Sequence, residues 1–266
     1  MVEYEKGGFI MNKKLLAIIL SVMMLFVFGA SFERPNDPDV SVSSGDVLYK
    51  KVSIKLDKNK RFVNDYMRTY RGIKLEIRKG TSWSSYVKLK DALDDMPDFG
   101  KLFTKSIILS PKHPEVELFN DLEADKRSPA VTGVTDCAGN IAIRDLSDTD
   151  YAYMDSIDIT LYHEMTHNII FKEESSILED ASDLYKEAQK QAKNKKSDQY
   201  IDMIFQYDPN EVEFFCDVAA IYLAGPDNDS PEDRGHIDYD YFKNTYPEVF
   251  KYAEDFVDEF DKNYTN

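Results

Sequence analysis

Two of the chain's four His fall four residues apart, in His163-Glu164-Met165-Thr166-His167. Around them Ile157, Leu161, Met165, Ile169 and Ile170 recur at helical spacing, so the segment reads as a helix with an apolar stripe to bury. This pairing constrains the fold more than any other feature, because a helix buried beside two imidazoles and a carboxylate must supply them with polar partners. Residues four apart on a helix are neighbours, so both imidazoles reach one ion at roughly 2.0–2.1 Å while Glu164 points at the water that ion holds. Zinc lowers the pKa of such a water toward about 7, and a carboxylate beside it removes the proton as the water attacks a polarised carbonyl. The pattern is that of zinc hydrolases. The plain alternative is a core helix whose His bond to their neighbours.

A catalytic zinc site needs a third protein ligand and an open position. The His-x-x-Gly-x-x-His extension of one large class is absent, since Ile170 and Glu173 stand where its Gly and third His belong. Glu187 lies 24 residues after His163, but in a Lys-rich stretch that reads as a solvated helix face. Glu213 is the better candidate, because Asn210-Glu211-Val212-Glu213-Phe214-Phe215-Cys216-Asp217-Val218-Ala219-Ala220 embeds it in an otherwise apolar helix, and a buried carboxylate needs a partner. Asp208-Pro209-Asn210-Glu211 reads as a capping box with Asp208 as N-cap. Asp217, one turn beyond Glu213, is placed to accept the free ring N–H of His163 or His167 and so fix its tautomer. Tyr207, on the segment entering this helix, is a candidate donor to a tetrahedral oxyanion, although with 17 Tyr in the chain a structural role is the default. His113 and His236 read as surface residues.

Met11-Asn12-Lys13-Lys14 followed by an apolar run from Leu15 to Phe28 and then Gly29-Ala30-Ser31 reads as a secretory signal over residues 11–30. The run is shorter than the roughly 20 residues a spanning helix needs. Residues 1–10 read as an upstream extension with Met11 as the true start, and 31–47, rich in Pro and Ser, as a flexible leader. The catalytic domain is expected over 48–266. The formal net charge is −16, and residues 1–30 carry a net +1 from Glu3 and Glu5 against Lys6, Lys13 and Lys14, so their removal leaves the mature chain still more acidic. Such a chain repels nucleic acid and anionic lipid, which points to protein or peptide partners. Cys137 and Cys216 are open to pairing after export, or Cys216 is simply a small buried residue.

Strands are expected at Leu48–Leu56, Ile73–Ile77 and Lys105–Leu109, with a short helix around Phe62–Tyr70 and a longer one over Trp83–Met96 that Pro97 ends. A hairpin or strand pair is expected between Ala130 and Ile143, ahead of the metal helix. In zincins generally such a strand edges the cleft and pairs with extended substrate. Ser176–Lys193 and the tail from Pro247 read as amphipathic helices.

The HExxH helix, Glu213 46 residues after His167 within Glu211-Val212-Glu213-Phe214-Phe215, and Tyr246-Pro247-Glu248-Val249-Phe250 together resemble the catalytic domain of anthrax lethal factor and the related secreted Pro-Pro endopeptidases. The resemblance covers about 155–260. It implies a gluzincin in which His163, His167 and Glu213 bind zinc and Tyr207 stabilises the transition state. The interval from Tyr207 to Glu213 is one residue shorter than the family pattern, which keeps Tyr200 and His236 as other candidates for that role.

The expectation is an α+β, zincin-like fold with a small strand-bearing lobe before a mainly helical one. The chain is expected to be a secreted, monomeric zinc endopeptidase that hydrolyses peptide bonds in protein substrates. Glu164 is its general base, one Zn2+ is bound per chain, and Asp217 orients a ligand His. The rival is a secreted, non-catalytic zinc-binding or interaction protein, whose structural site would close with a fourth protein ligand.

Overall fold

The computed structural model describes residues 54–127, 130–136, 138–145, 156–173, 176–197, 199–207, 210–226 and 239–264. All of them belong to the compact unit Lys51–Asn266. The architecture is mixed α+β. Five strands form one sheet: β1 Tyr66–Tyr70, β2 Ile73–Ile77, β3 Ser106–Ser110, β4 Gly133–Thr135 and β5 Asn140–Arg144. Their order is β1-β2-β3-β5-β4, with β2, β3 and β5 parallel and the two outer strands antiparallel to their neighbours.

The segment expected to be a helix around Phe62–Tyr70 holds none, and its second half is β1. Its burial alternates residue by residue, and Arg71 and Gly72, both at positive φ, close a two-residue turn onto β2. Gly is suited to that backbone, whereas Arg71 adopts it at some cost. Of the expected first strand, the part up to residue 53 lies outside the described residues, and Leu56 makes only an isolated bridge to Phe62. The strand at Ile73–Ile77 and the strand pair ahead of the helix that carries His163 and His167 are as expected.

Helix α1, Trp83–Asp95, starts at Ser82, whose hydroxyl accepts from Ser85 N. The same start is tied to the end of the sheet by Asp145, just past β5. Its buried carboxylate accepts from Ser82 N at 2.7 Å, Ser82 Oγ at 3.0 Å, Ser85 Oγ at 2.6 Å and Arg61 Nη1 at 3.2 Å. A carboxylate so fully bonded is tolerated inside. Short helices α2, Asp98–Phe103, α3, Pro114–Phe119, and α4, Ala124–Arg127, follow. His113, expected at the surface, is 0 % exposed: its Nδ1 accepts from Glu115 N and caps α3.

The helical part comprises α5, Ile157–Glu173, α6, Ser176–Lys193, α7, Tyr200–Tyr207, α8, Glu211–Ala224, α9, Tyr239–Thr245, and α10, Pro247–Tyr264. The apolar stripe of α5 is buried as its spacing requires, Ile157, Leu161, Met165 and Ile169 all facing a core shared with the sheet, α1, α2 and the end of α10. A second core joins α6, α7, α8, α9 and the start of α10. Helix α8 serves both: Phe215, Cys216 and Ala219 enter the first core, Phe214 and Val218 the second. That division explains why a helix apolar on nearly every side is stable here. No helix among the described residues is long and apolar enough to cross a membrane.

Candidate metal centre

Helices α5 and α8 pack along each other, and that contact brings the candidate ligands together. His163 and His167 lie one turn apart on α5, with their Nε2 atoms 3.1 Å from each other. Glu213 projects from the first turn of α8, and its Oε2 lies 3.2 Å from His163 Nε2 and 3.5 Å from His167 Nε2. A tetrahedral ion with ligands at about 2.0–2.1 Å has donor atoms roughly 3.3 Å apart, so this triangle matches one face of such a site. The side chain of Glu213 is 36 % exposed and those of His163 and His167 are 14 % and 13 %, which leaves the triangle open on the Glu213 side.

The start of α8 differs from expectation in its cap. Asn210, not Asp208, is the N-cap: its Oδ1 accepts from Val212 N at 2.9 Å and Glu213 N at 3.0 Å, so the helix begins two residues later than the expected box. The consequence favours the site, since Glu213 then stands in the first turn, where the helix macrodipole stabilises a carboxylate. Asp208 and Pro209 lie outside the described residues.

Asp217 sits one turn along α8 from Glu213, and its Oδ1 is 2.7 Å from His163 Nδ1. A carboxylate there makes Nδ1 the donor, which directs Nε2 at the triangle. Burial alone would lower the pKa of His163. The charge of Asp217 and the hydrogen bonds His163 donates to Asp217 and Glu213 outweigh it and hold the group well above its ordinary value. Glu213 is held far below the usual carboxylate range by His163 and then His167, against the effect of burial. Three carboxylates around two imidazoles thus make a pocket that favours positive charge.

Glu164 is 7 % exposed, and burial pushes its pKa up, against the pull of His163 and His167. It faces β4. The row Thr160, Glu164, Asn168 on α5 lies along that strand, with Thr160 Oγ1 3.5 Å from Thr132 Oγ1 and the Thr135 hydroxyl bonded to Asn168 Oδ1 at 2.7 Å. Gly133 permits this approach. A Cβ there would lie 2.5 Å from Thr160 Cγ2 and 2.9 Å from both Cγ and Oε1 of Glu164. Neither Gly133 nor Asn168 belongs to a motif legible in the sequence; a lone Gly in a strand pattern is the one available signal for Gly133.

The remaining candidates divide. Glu187 is an exposed partner of Lys190 on α6, 3.4 Å away, as a solvated carboxylate should be. Tyr207 is the last residue of α7, not a loop residue, and is 71 % exposed. Tyr200 is buried in the second core at the other end of α7. His236 and Cys137 lie outside the described residues. Cys216, buried on α8, adds a donor that sequence reading left out of the metal set: its Sγ and one ring nitrogen of each of His163 and His167 lie within 4.8 Å of one another. Glu213 remains the better third ligand, because its 3.2 and 3.5 Å separations fit a common ion, whereas nitrogen and sulfur donors on one tetrahedral ion stand about 3.6 Å apart. Compared with family models and with curated proteins, the chain matches none.

Proposed function

We propose that this protein is a secreted zinc endopeptidase whose centre is built from His163, His167 and Glu213. The observation that carries the proposal is the donor triangle with edges of 3.1, 3.2 and 3.5 Å, with the buried carboxylate of Glu164 on the same helix. A zinc ion bound there supplies Lewis acidity, polarising a substrate carbonyl and acidifying water. Glu164 takes the proton and returns it to the leaving amine; its raised pKa suits a group that must hold the proton between those two events. Asp217 keeps Nε2 of His163 free to ligate. Tyr207, an exposed phenol, is the proposed donor to the oxyanion.

The substrate is an extended peptide. Strand β4 is bonded to β5 on one side, and among the described residues no other strand pairs with it, so its other edge offers main-chain donors and acceptors next to Glu164. The signal-like residues 11–30 support export.

Cys216 favours a second reading, a closed structural site in which its thiolate makes a fourth protein ligand. The buried Glu164 argues for the enzyme, since a structural site has no use for it. The deciding experiment exposes a diverse peptide mixture to the mature chain with and without a chelator, beside Glu164→Ala. Chelator-sensitive cuts are expected, with the variant keeping one zinc per chain and losing roughly 10²–10⁴-fold or more in turnover. Undiminished cutting by Glu164→Ala sinks the mechanism, and zinc bound without any cutting favours the structural reading.

A further inference from the structure

Cys216 follows Glu213 by three residues and precedes Asp217, so a single face of α8 presents a carboxylate, a thiol and a second carboxylate to the His pair of α5. The thiol is fully buried, on the core side of the centre, while Glu213 approaches from the partly exposed side. With zinc–sulfur bonds of about 2.3 Å and zinc–nitrogen bonds of about 2.0–2.1 Å, donors of the two kinds stand roughly 3.6 Å apart on a tetrahedral ion. The limit of 4.8 Å within which Sγ and the two imidazole nitrogens fall leaves at most about 1 Å to close.

We propose that Cys216 is a reserve ligand: the centre has two alternative third donors, and it changes from His₂Glu to His₂Cys when Glu213 is displaced or when the ion is thiophilic. This rests on the reading that His163 and His167 hold a metal. In the exchange a carboxylate oxygen leaves the ion, a metal–sulfur bond forms, and the thiol proton passes to water, because only the thiolate ligates. Glu213 is suited to yield, being partly exposed in the first turn of its helix, while Cys216 is held in the packed middle. The chemical class selected is the soft cation, with Cd2+ a stronger claimant on the thiolate than Mg2+ or Mn2+, which prefer oxygen.

The test loads the unsubstituted protein, Glu213→Ala, Cys216→Ala and the double variant with Co2+ and reads the near-ultraviolet thiolate-to-cobalt charge-transfer band and the bound stoichiometry. Glu213→Gln, which keeps the side-chain volume, is run alongside, and circular dichroism checks that each variant folds. Expected is cobalt without the band in the unsubstituted protein and in Cys216→Ala, cobalt with the band in Glu213→Ala, and loss of both band and ion in the double variant. A folded Glu213→Ala that binds cobalt without the band, or binds none, overturns the proposal. A band in the unsubstituted protein also overturns the reserve role, because Cys216 would then be a resting ligand. If the unsubstituted protein takes up no cobalt, the metal reading itself fails, an outcome distinct from the others.

Discussion

Adding one methyl group at Gly133 tests whether β4 sets the position of Glu164. The Cβ of Gly133→Ala would meet Thr160 Cγ2 at 2.5 Å and Glu164 Cγ and Oε1 at 2.9 Å, where carbon atoms in good contact stand about 3.5–4.0 Å apart. Something must move by roughly 0.6–1 Å. The strand is held by its ladder to β5 and by the Thr135–Asn168 hydrogen bond, so much of the movement falls on the Glu164 side chain. Overpacking of this kind costs about 1–3 kcal/mol of stability. A general base misplaced by about 1 Å costs on the order of 10²-fold in rate. The three proposed metal ligands are untouched, so Gly133→Ala is expected to keep one zinc per chain, melt several degrees lower and lose about 100-fold in kcat on a chelator-sensitive peptide. Thr160→Ser separates the two effects, because it removes the 2.5 Å contact and leaves those with Glu164. The double variant Gly133→Ala/Thr160→Ser is expected to regain part of the stability but little of the turnover. A wild-type kcat in Gly133→Ala, or turnover restored together with stability in the double variant, refutes the reasoning.

Asp217→Ala leaves the buried Nδ1–H of His163 without its acceptor and is expected to weaken zinc binding about 10–100-fold in a chelator competition, with Asp217→Asn, which keeps an acceptor, close to the unsubstituted protein. Equal affinity in all three assigns Asp217 to packing alone. Asp202, buried on α7, gives a pH prediction. Burial alone would raise its pKa, but hydroxyl donation from Tyr241 at 2.6 Å, from Tyr246 and from Ser197 holds it below the ordinary value. A carboxylate depressed in the folded state contributes stability that is present above the unfolded pKa of about 3.9 and lost as pH falls through the folded value. Asp202→Asn is therefore expected to unfold with a shallower pH dependence below about pH 4, followed by urea titration at a series of pH values. An unchanged acid limb rejects the assignment. Asp202→Ala strands the buried Tyr246 hydroxyl and is expected to cost about 1–3 kcal/mol at neutral pH.

The sequence alone determined the parts of this protein whose signals are local. Period and spacing identify α5 and its buried stripe, and the four-residue interval on a helix dictates that His163 and His167 face one point. Helices α6 and α10 follow from the same 3.6-residue period, and β2 and the β4–β5 pair from β-branched runs around turn residues. Local signals also misled. The local pattern over 62–70 suggests a helix, and only the hydrogen bonding of Tyr66–Tyr70 to β2, with the positive-φ turn at Arg71-Gly72, makes a strand there. Asn210 took the cap from Asp208, and His113 is buried where its neighbours suggested exposure. Glu213, the proposed third ligand, stands out in the sequence only as a carboxylate in an apolar helix. Only the packing of α8 on α5 sets it 3.2 and 3.5 Å from the imidazoles, because two helices brought together across 46 residues of chain have no relative register until their apolar faces interlock. The same packing brings Cys216 near the His pair, and the packing of β4 on α5 sets Gly133 against Glu164, distances between segments remote in the chain that no spacing rule encodes.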